Sequence, residues 1–139
     1  MLDLSLEGKR AVVTGASLGI GEAVVKMLSD HGASVTFCAR NKDAIKNLTD
    51  YKSESPDSKI KGLIADMSDA KSTENFIKET LEDGPIDILV NNVGASPSRN
   101  FLYMSDQDWQ DLHELNLLSA VRCTRSFLPH MREQKWGRV

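Results

Sequence analysis

Thr14-Gly15-Ala16-Ser17-Leu18-Gly19-Ile20-Gly21 is the stretch that decides the fold. It follows the apolar run Ala11–Thr14. It precedes Ile20, Ala23, Val24, Met27 and Leu28, the i, i+3, i+4, i+7, i+8 stripe of a core-facing helix. Strand, glycine turn and helix in that order are what an open parallel sheet uses to seat a dinucleotide. The glycines fall at 15, 19 and 21, giving G-x-x-x-G-x-G rather than the commoner G-x-G-x-x-G. Gly15 allows a turn that a Cβ would block, Gly19 lets backbone approach a pyrophosphate, and Gly21 lets the helix pack close to the sheet. Unpaired N–H groups and the positive end of the helix dipole would together favour the phosphates by about 1–2 kcal/mol. The turn residues Gly15, Ser17, Leu18, Gly19, Ile20 and Gly21 are therefore expected to contact such a ligand. A plain tight connection is the alternative.

Working outward, Gly32 ends the first helix as a C′ glycine. Val35–Cys38 reads as a second strand, and Asn41 can cap a helix carrying Ala44, Ile45 and Leu48 that dissolves in Ser53–Ser58. Ile60–Ala65 is a third strand. Ser68 or Asp69 caps a helix bearing Phe76, Ile77 and Leu81, and Gly84-Pro85 stops it before a fourth strand, Ile86–Asn91. Strands that are nearly all apolar, each followed by a helix, require a parallel sheet covered on both faces, so the class is α/β, doubly wound and Rossmann-like. After the connection Asn92–Met104, Ser105 to Asp108 supplies a capping box for a helical stretch to about Met131. Leu117, Val121, Leu128 and Met131 form one apolar stripe of it, and Ala120, Cys123 and Phe127 another. One side covers the sheet; the other is left for a partner subunit or a further part of the chain. Gly137-Arg138-Val139 reads as a terminator and the first residue of a fifth strand, so residues 1–139 are expected to be the amino-terminal part of a longer single-domain protein, cut at that strand.

The chain has 139 residues, 40% apolar and 27% charged, which fits one globular unit with its own core. A formal net charge of −3 argues against a broad electrostatic grip on nucleic acid. Two cysteines, Cys38 and Cys123, sit in apolar runs and read as free thiols in a reducing compartment. No apolar stretch is long enough to span a membrane and no leader is visible between Met1 and Arg10, so the expected location is cytoplasmic. His31, His113 and His130 lie far apart without metal-ligand spacing, and no metal is expected.

The turn Thr14–Gly21, the context Ala65-Asp66-Met67, the segment Asn91-Asn92-Val93-Gly94 and Asn116 in Leu115-Asn116-Leu117 occur in an order that resembles the short-chain dehydrogenase/reductase family, from Leu6 to Val139. The resemblance implies that Asp66, with Met67 beside it, meets the adenine of a nicotinamide cofactor and that Asn92 and Gly94 line the cofactor cleft. It also implies that Asn116 kinks its helix and holds a water in a proton relay. Val93 departs from the family's usual alanine, adding bulk beside the cleft. The bland readings are a turn-starting Asp66, strand-end amides at Asn91 and Asn92, and a structural amide at Asn116.

Charge bears on which cofactor. Where sheets that bind NAD carry an acid at the end of the second strand, this chain has Ala39 followed by Arg40. A neutral residue beside a guanidinium accepts a 2′-phosphate, which an acid would repel. NADP(H) is thus preferred, with NAD(H) as the alternative, and with Ser17 and Asn41 as helping donors. Leu18 stands where many NADP-preferring relatives have a second basic residue.

Carbonyl reduction needs a proton donor beside the developing alkoxide. The family supplies it as a tyrosine with a lysine four residues on, helped by a serine. Tyr51 and Tyr103 are followed four residues later by Ser55 and Gln107, and Ser96 and Ser98 come too early to be that serine. Of the four residues the resemblance would call catalytic, only Asn116 is present. The expectation is an NADP(H)-dependent oxidoreductase interconverting a small carbonyl compound and an alcohol, a homo-oligomer at full length. This chain would be its cofactor-binding half, inactive alone. The competing reading is a non-catalytic dinucleotide-binding or scaffolding module; a nucleotide-sugar epimerase is weaker, because such proteins usually show another glycine spacing.

Overall fold

The computed structural model describes residues 4–97 and 100–139. Met1 to Asp3 and Ser98, on which two of the readings above touch, lie outside the described residues. Four strands, β1 (Arg10–Val13), β2 (Ser34–Ala39), β3 (Ile60–Ile64) and β4 (Ile88–Val90), form one parallel sheet in the order β3-β2-β1-β4. Helices α1 (Gly19–Asp30) and α2 (Lys42–Thr49) cover one face; α3 (Ala70–Glu82) and α5 (Ser119–Glu133) cover the other. A shorter helix, α4 (Asp106–His113), leads into α5.

The strands look uninterruptedly apolar because both faces are buried and successive residues serve opposite cores. Ala11, Val13, Val35, Phe37 and Ile88 join Val25 of α1 and Leu48 of α2 in one cluster. Val12, Cys38 and Leu89 join Phe76 and Ile77 of α3 and Cys123, Phe127 and Met131 of α5 in the other. In register, Ala11 lies opposite Val35 and Ile88, and Val13 opposite Phe37 and Val90. β3 is an edge strand, and Ile64 at its end is 56% exposed.

Caps appear where expected. Asn41 Oδ1 accepts from the Asp43 and Ala44 N–H groups, Asp69 rather than Ser68 caps α3, and Ser105 and Asp108 form a reciprocal capping box. Gly32 and Ala33 donate back to Ser29 and Leu28, closing α1 with a Schellman motif. β1 begins and ends one residue earlier than its apolar run, and β4 is only three residues long.

Four expectations need correction. Helix α1 turns Gly21, Val25 and Ser29 to the sheet, with Val24 and Leu28 flanking, while Ile20 and Met27 are 78% and 65% exposed. Small residues face inward because the helix packs closely against the strands, and that closeness leaves no room for the larger side chains of the expected stripe. Leu81 of α3 is likewise partly exposed. The expected single long helix is α4, a π turn over Glu114–Leu118, and α5. Beyond the π turn the inward face is Ser119, Cys123, Phe127 and Met131, so Met131 belongs with Cys123 and Phe127, while Leu117 and Leu128 point outward. The connection after β4 also contains a 3₁₀ turn, Phe101–Tyr103, whose three large side chains are exposed.

At the amino-terminal edge of the sheet, Asp87 ties the elements together. Its Oδ2 accepts from the Arg10 N–H at 2.9 Å and its Oδ1 from the Gln134 amide at 2.7 Å. Burial raises this carboxyl, but those donors, with Lys9 and His130 nearby, outweigh burial and hold it below the usual carboxylate range. Arg138 pairs with β4 from the far side, its N–H donating to Asp87 O and its carbonyl accepting from Leu89 N–H. It occupies a fifth-strand position.

Candidate functional site

In the sheet order, the chain steps from β1 to β2 to β3 and then crosses back to place β4 on the other side of β1. The carboxyl ends of β1 and β4 thus diverge into a crevice, where ligands bind open α/β sheets. A cleft of about 390 Å³ lies there.

The glycine turn forms its centre. Gly15 has φ +68°, and a Cβ on it would stand 2.9 Å from Val93 Cα, so neither backbone nor space admits a side chain. A Cβ on Gly21 would meet Asn92 Nδ2 at 2.5 Å and Gly15 O at 2.8 Å, which is the close helix approach expected from the sequence. Gly19, at φ +62°, differs: nothing lies within 4 Å of where its Cβ would point. Its openness is toward solvent. The N-cap residue of α1, Leu18, makes no side-chain hydrogen bond to the helix, so the cap leaves the first N–H groups there without a side-chain acceptor of its own.

On the β2 and β3 side the cleft is bounded by Ala39, Arg40, Asp66, Met67 and Ser68. Asp66 Oδ1 accepts from both the N–H and the hydroxyl of Ser68, at 3.0 and 2.7 Å, and the Asp66 N–H donates to Ser72 Oγ at 2.8 Å. Those Ser68 bonds come first, and the Arg40 charge adds to them, in holding the carboxyl below its ordinary range; Asp66 is an anion at neutral pH. Met67 is buried in the core, where its sulfur lies 3.9 Å from Thr73 Oγ1.

The β4 side is stitched to the turn. Thr14 Oγ1 accepts from the N–H groups of Asn92 and Val93, both at 3.1 Å. The Asn92 amide donates to Thr14 O and Gly15 O at 3.1 and 2.9 Å. Further along, Asn116 grips Ala95 from both sides: its Oδ1 accepts from the Ala95 N–H at 2.8 Å and its Nδ2 donates to Ala95 O at 2.9 Å. Gly94 passes close beneath that amide.

Of the residues expected from sequence, Gly15, Ser17, Leu18, Ile20, Gly21, Arg40, Asp66, Met67, Asn92 and Gly94 all border the cleft. Gly19, Asn41 and Asn116 do not. Asn41 spends its oxygen on capping α2, and Asn116 reaches the site only through Ala95. Asn116 is also exposed, so the cost of burying an amide does not explain it; its two backbone bonds do. Ser68, Ala95 and Leu115 border the cleft without having been singled out as site residues. Ser68 carried a readable signal, since a residue two places after Asp readily closes an Asx turn.

The remaining reactive groups stand apart from the cleft or are inert. The Tyr51 hydroxyl donates to Asp30 on the α1 and α2 side, and Tyr103 lies on the exposed 3₁₀ turn. Burial pushes the Cys38 thiol up to about 11, although Gly15 N–H bonding opposes it, and pushes Cys123 up to about 12. Both are free and neutral at physiological pH. Among the described residues no three metal-ligating side chains cluster, and no helix is long and apolar enough to cross a membrane.

A doubly wound parallel sheet with its cleft at the switch point defines a Rossmann-like α/β protein. The family model described as short chain dehydrogenase matches residues 9–139, and the chain belongs to that family. It is 36% identical over 137 residues to a 3-oxoacyl-(acyl-carrier-protein) reductase of Salmonella typhimurium, covering 98% of this chain and 54% of that protein. It is 35% identical to the uncharacterized oxidoreductase YvrD of Bacillus subtilis, covering 99% of this chain and 52% of YvrD. Among solved structures, L-sorbose reductase from Gluconobacter frateurii complexed with NADPH and L-sorbose superposes with a TM-score of 0.89 at 29% identity, over 98% of this chain and 52% of that one. A 3-oxoacyl (acyl-carrier-protein) reductase from Agrobacterium tumefaciens with NADP bound gives 0.89 at 30% identity, over 100% and 54%. The chain spans about half the length of these relatives.

Proposed function

We propose that this chain is the coenzyme-binding half of an NADP(H)-dependent oxidoreductase that interconverts a small carbonyl compound and an alcohol. The observation that carries the reading is the pairing of an open, uncapped glycine turn with Ala39-Arg40 at the end of β2, on one cleft. The backbone of Gly15 to Gly21 would hold the pyrophosphate, with Ser17, Leu18 and Ile20 around it. Gly19, outside the cleft lining, would serve by giving the turn its left-handed backbone, with open solvent where a Cβ would point. The Arg40 guanidinium would take the 2′-phosphate, helped by Ser17 and by the Asn41 amide nitrogen, which capping leaves available. Asp66, with Oδ1 occupied by Ser68, would offer its other oxygen to the adenine amino group, beside Met67. Asn92 and Gly94 would border the nicotinamide side. The coenzyme supplies the hydride.

Within this chain Asn116 is the residue assigned to the proton path, and no tyrosine here stands at the cleft to donate a proton. The 139-residue chain is therefore expected to bind coenzyme and to turn over no ketone. The exposed Phe101–Tyr103 turn and the outward Leu117 and Leu128 are assigned to contacts within a homo-oligomer of the whole protein.

Fluorescence titration with NADPH and NADH tests the coenzyme assignment. NADPH should bind more tightly by about tenfold or more, the scale of a charge-assisted bond. Arg40→Asp should reverse the order, and unchanged selectivity in that variant would remove the 2′-phosphate argument. Mixing the chain with NADPH and a panel of ketones should leave the reduced-coenzyme absorbance flat; any substrate-dependent loss refutes the assignment of inactivity.

A further inference from the structure

The π turn between α4 and α5 has its own internal supports. In an α-helix the Ser119 N–H would reach Leu115 O; here it reaches Glu114 O, one residue further back. The Ser119 hydroxyl takes over the abandoned acceptor, donating to Leu115 O at 2.5 Å. One residue thus serves two successive carbonyls, and it is buried against the core, 1% exposed. Glu114, whose carbonyl takes the π bond, is also held through its side chain by an ion pair with Arg122 across the turn. Between these two anchors sits Asn116, with its amide clipped to both backbone groups of Ala95 on the cleft wall.

We infer that Ser119, supported by the Glu114–Arg122 ion pair, is a positioning residue that holds the π turn open so that Asn116 grips Ala95 and sets the β4 wall of the cleft. Its chemistry is that of a hydroxyl replacing a backbone donor. Threonine can do the same and alanine cannot. Without the hydroxyl, the regular helix regains its advantage, because Leu115 O then recovers a partner only if the Ser119 N–H moves back to it. That shift would rotate Asn116 relative to Ala95. The inference rests on the proposed function only in giving the wall a coenzyme to contact.

Amide hydrogen exchange at Ala95 in the full-length protein, without coenzyme, tests this directly, with Asn92 as internal control because its N–H donates to Thr14 instead. Ser119→Ala should speed exchange at Ala95 by about fivefold, the size of one net hydrogen bond, while Asn92 stays unchanged. Ser119→Thr should restore the wild-type rate. Glu114→Gln should give a smaller rise, about twofold, as a partly exposed ion pair warrants. A wild-type rate at Ala95 in Ser119→Ala overturns the assignment. So does a threonine variant that matches the alanine one, or acceleration of Asn92 together with Ala95, which would mark a merely structural role. An unchanged rate in Glu114→Gln removes the ion pair from it. Titration with NADPH adds the second readout: Ser119→Ala should bind about threefold more weakly and Ser119→Thr normally. If the wild-type protein binds no NADPH, the coenzyme reading falls while the exchange data still decide the role of Ser119.

Discussion

The two edges of the sheet treat their polar groups in opposite ways. At the amino-terminal edge, Asp87 collects donors from β1 and from the residues after α5, and Arg138 adds two backbone bonds to the flank of β4. That edge is closed and its bonds are spent within the protein. At the carboxyl-terminal edge, the first turn of α1 has no side-chain cap, Gly19 faces open space, and Arg40 stands exposed beside the cleft. The closed edge holds the strands in register; the open one keeps donors available for a ligand. Stability and the proposed binding thus fall at different ends of the same strands, and substitutions should separate them.

Gly21→Ala breaks the separation most severely, because its Cβ would stand within 3 Å of backbone atoms of Gly15 and Ala16 as well as the Asn92 amide. A loss of about 2–3 kcal/mol in urea melts, with loss of NADPH binding, is expected. Asp87→Ala acts at the closed edge alone: it should cost about 2 kcal/mol through stranded donors and leave coenzyme affinity unchanged. The same carboxyl predicts a pH effect. Its folded pKa is depressed, so its contribution is complete above the unfolded value of about 3.9 and is lost as the pH falls through the folded value. Melts of wild type and Asp87→Asn between pH 7 and pH 2 should converge at the acid end, and a constant gap would rule this out. Gly19→Ala has the smallest effect on stability, about 1 kcal/mol from its left-handed backbone, and should weaken NADPH binding only through the strain it puts on the turn, since Gly19 does not itself border the cleft. If it bound normally, the left-handed backbone at Gly19 would have no part in binding.

How legible each part was in the sequence follows from the range of the interactions involved. The βα turn, the caps at Asn41 and Ser105, and the four strands follow from residues a few positions apart and were readable, while the α3 cap was narrowed only to Ser68 or Asp69. The inward face of α1 was not, because periodicity ranks large apolar residues first, whereas the sheet selected Gly21, Val25 and Ser29. The long helix was readable as helical, and a kink at Asn116 came only with the family resemblance; periodicity did not show the π turn, which replaces one hydrogen bond by another of similar strength. Arg40 and Asp66 were found separately; their electrostatic proximity required the parallel pairing of Ala39 with Ile64.

What the sequence determined alone is the alternation of strands and helices and the place of the glycine turn between the first two, since steric limits on backbone and the spacing of apolar residues are local. What only the tertiary structure decided is which atoms that turn meets. Val93 and Asn92 come to it from some 80 positions away through the β1–β4 pairing, and Asn116 is tied to Ala95 on the cleft wall beside a change of helical pitch. Those contacts depend on how closely packed layers can approach, and close packing is a property of the whole fold.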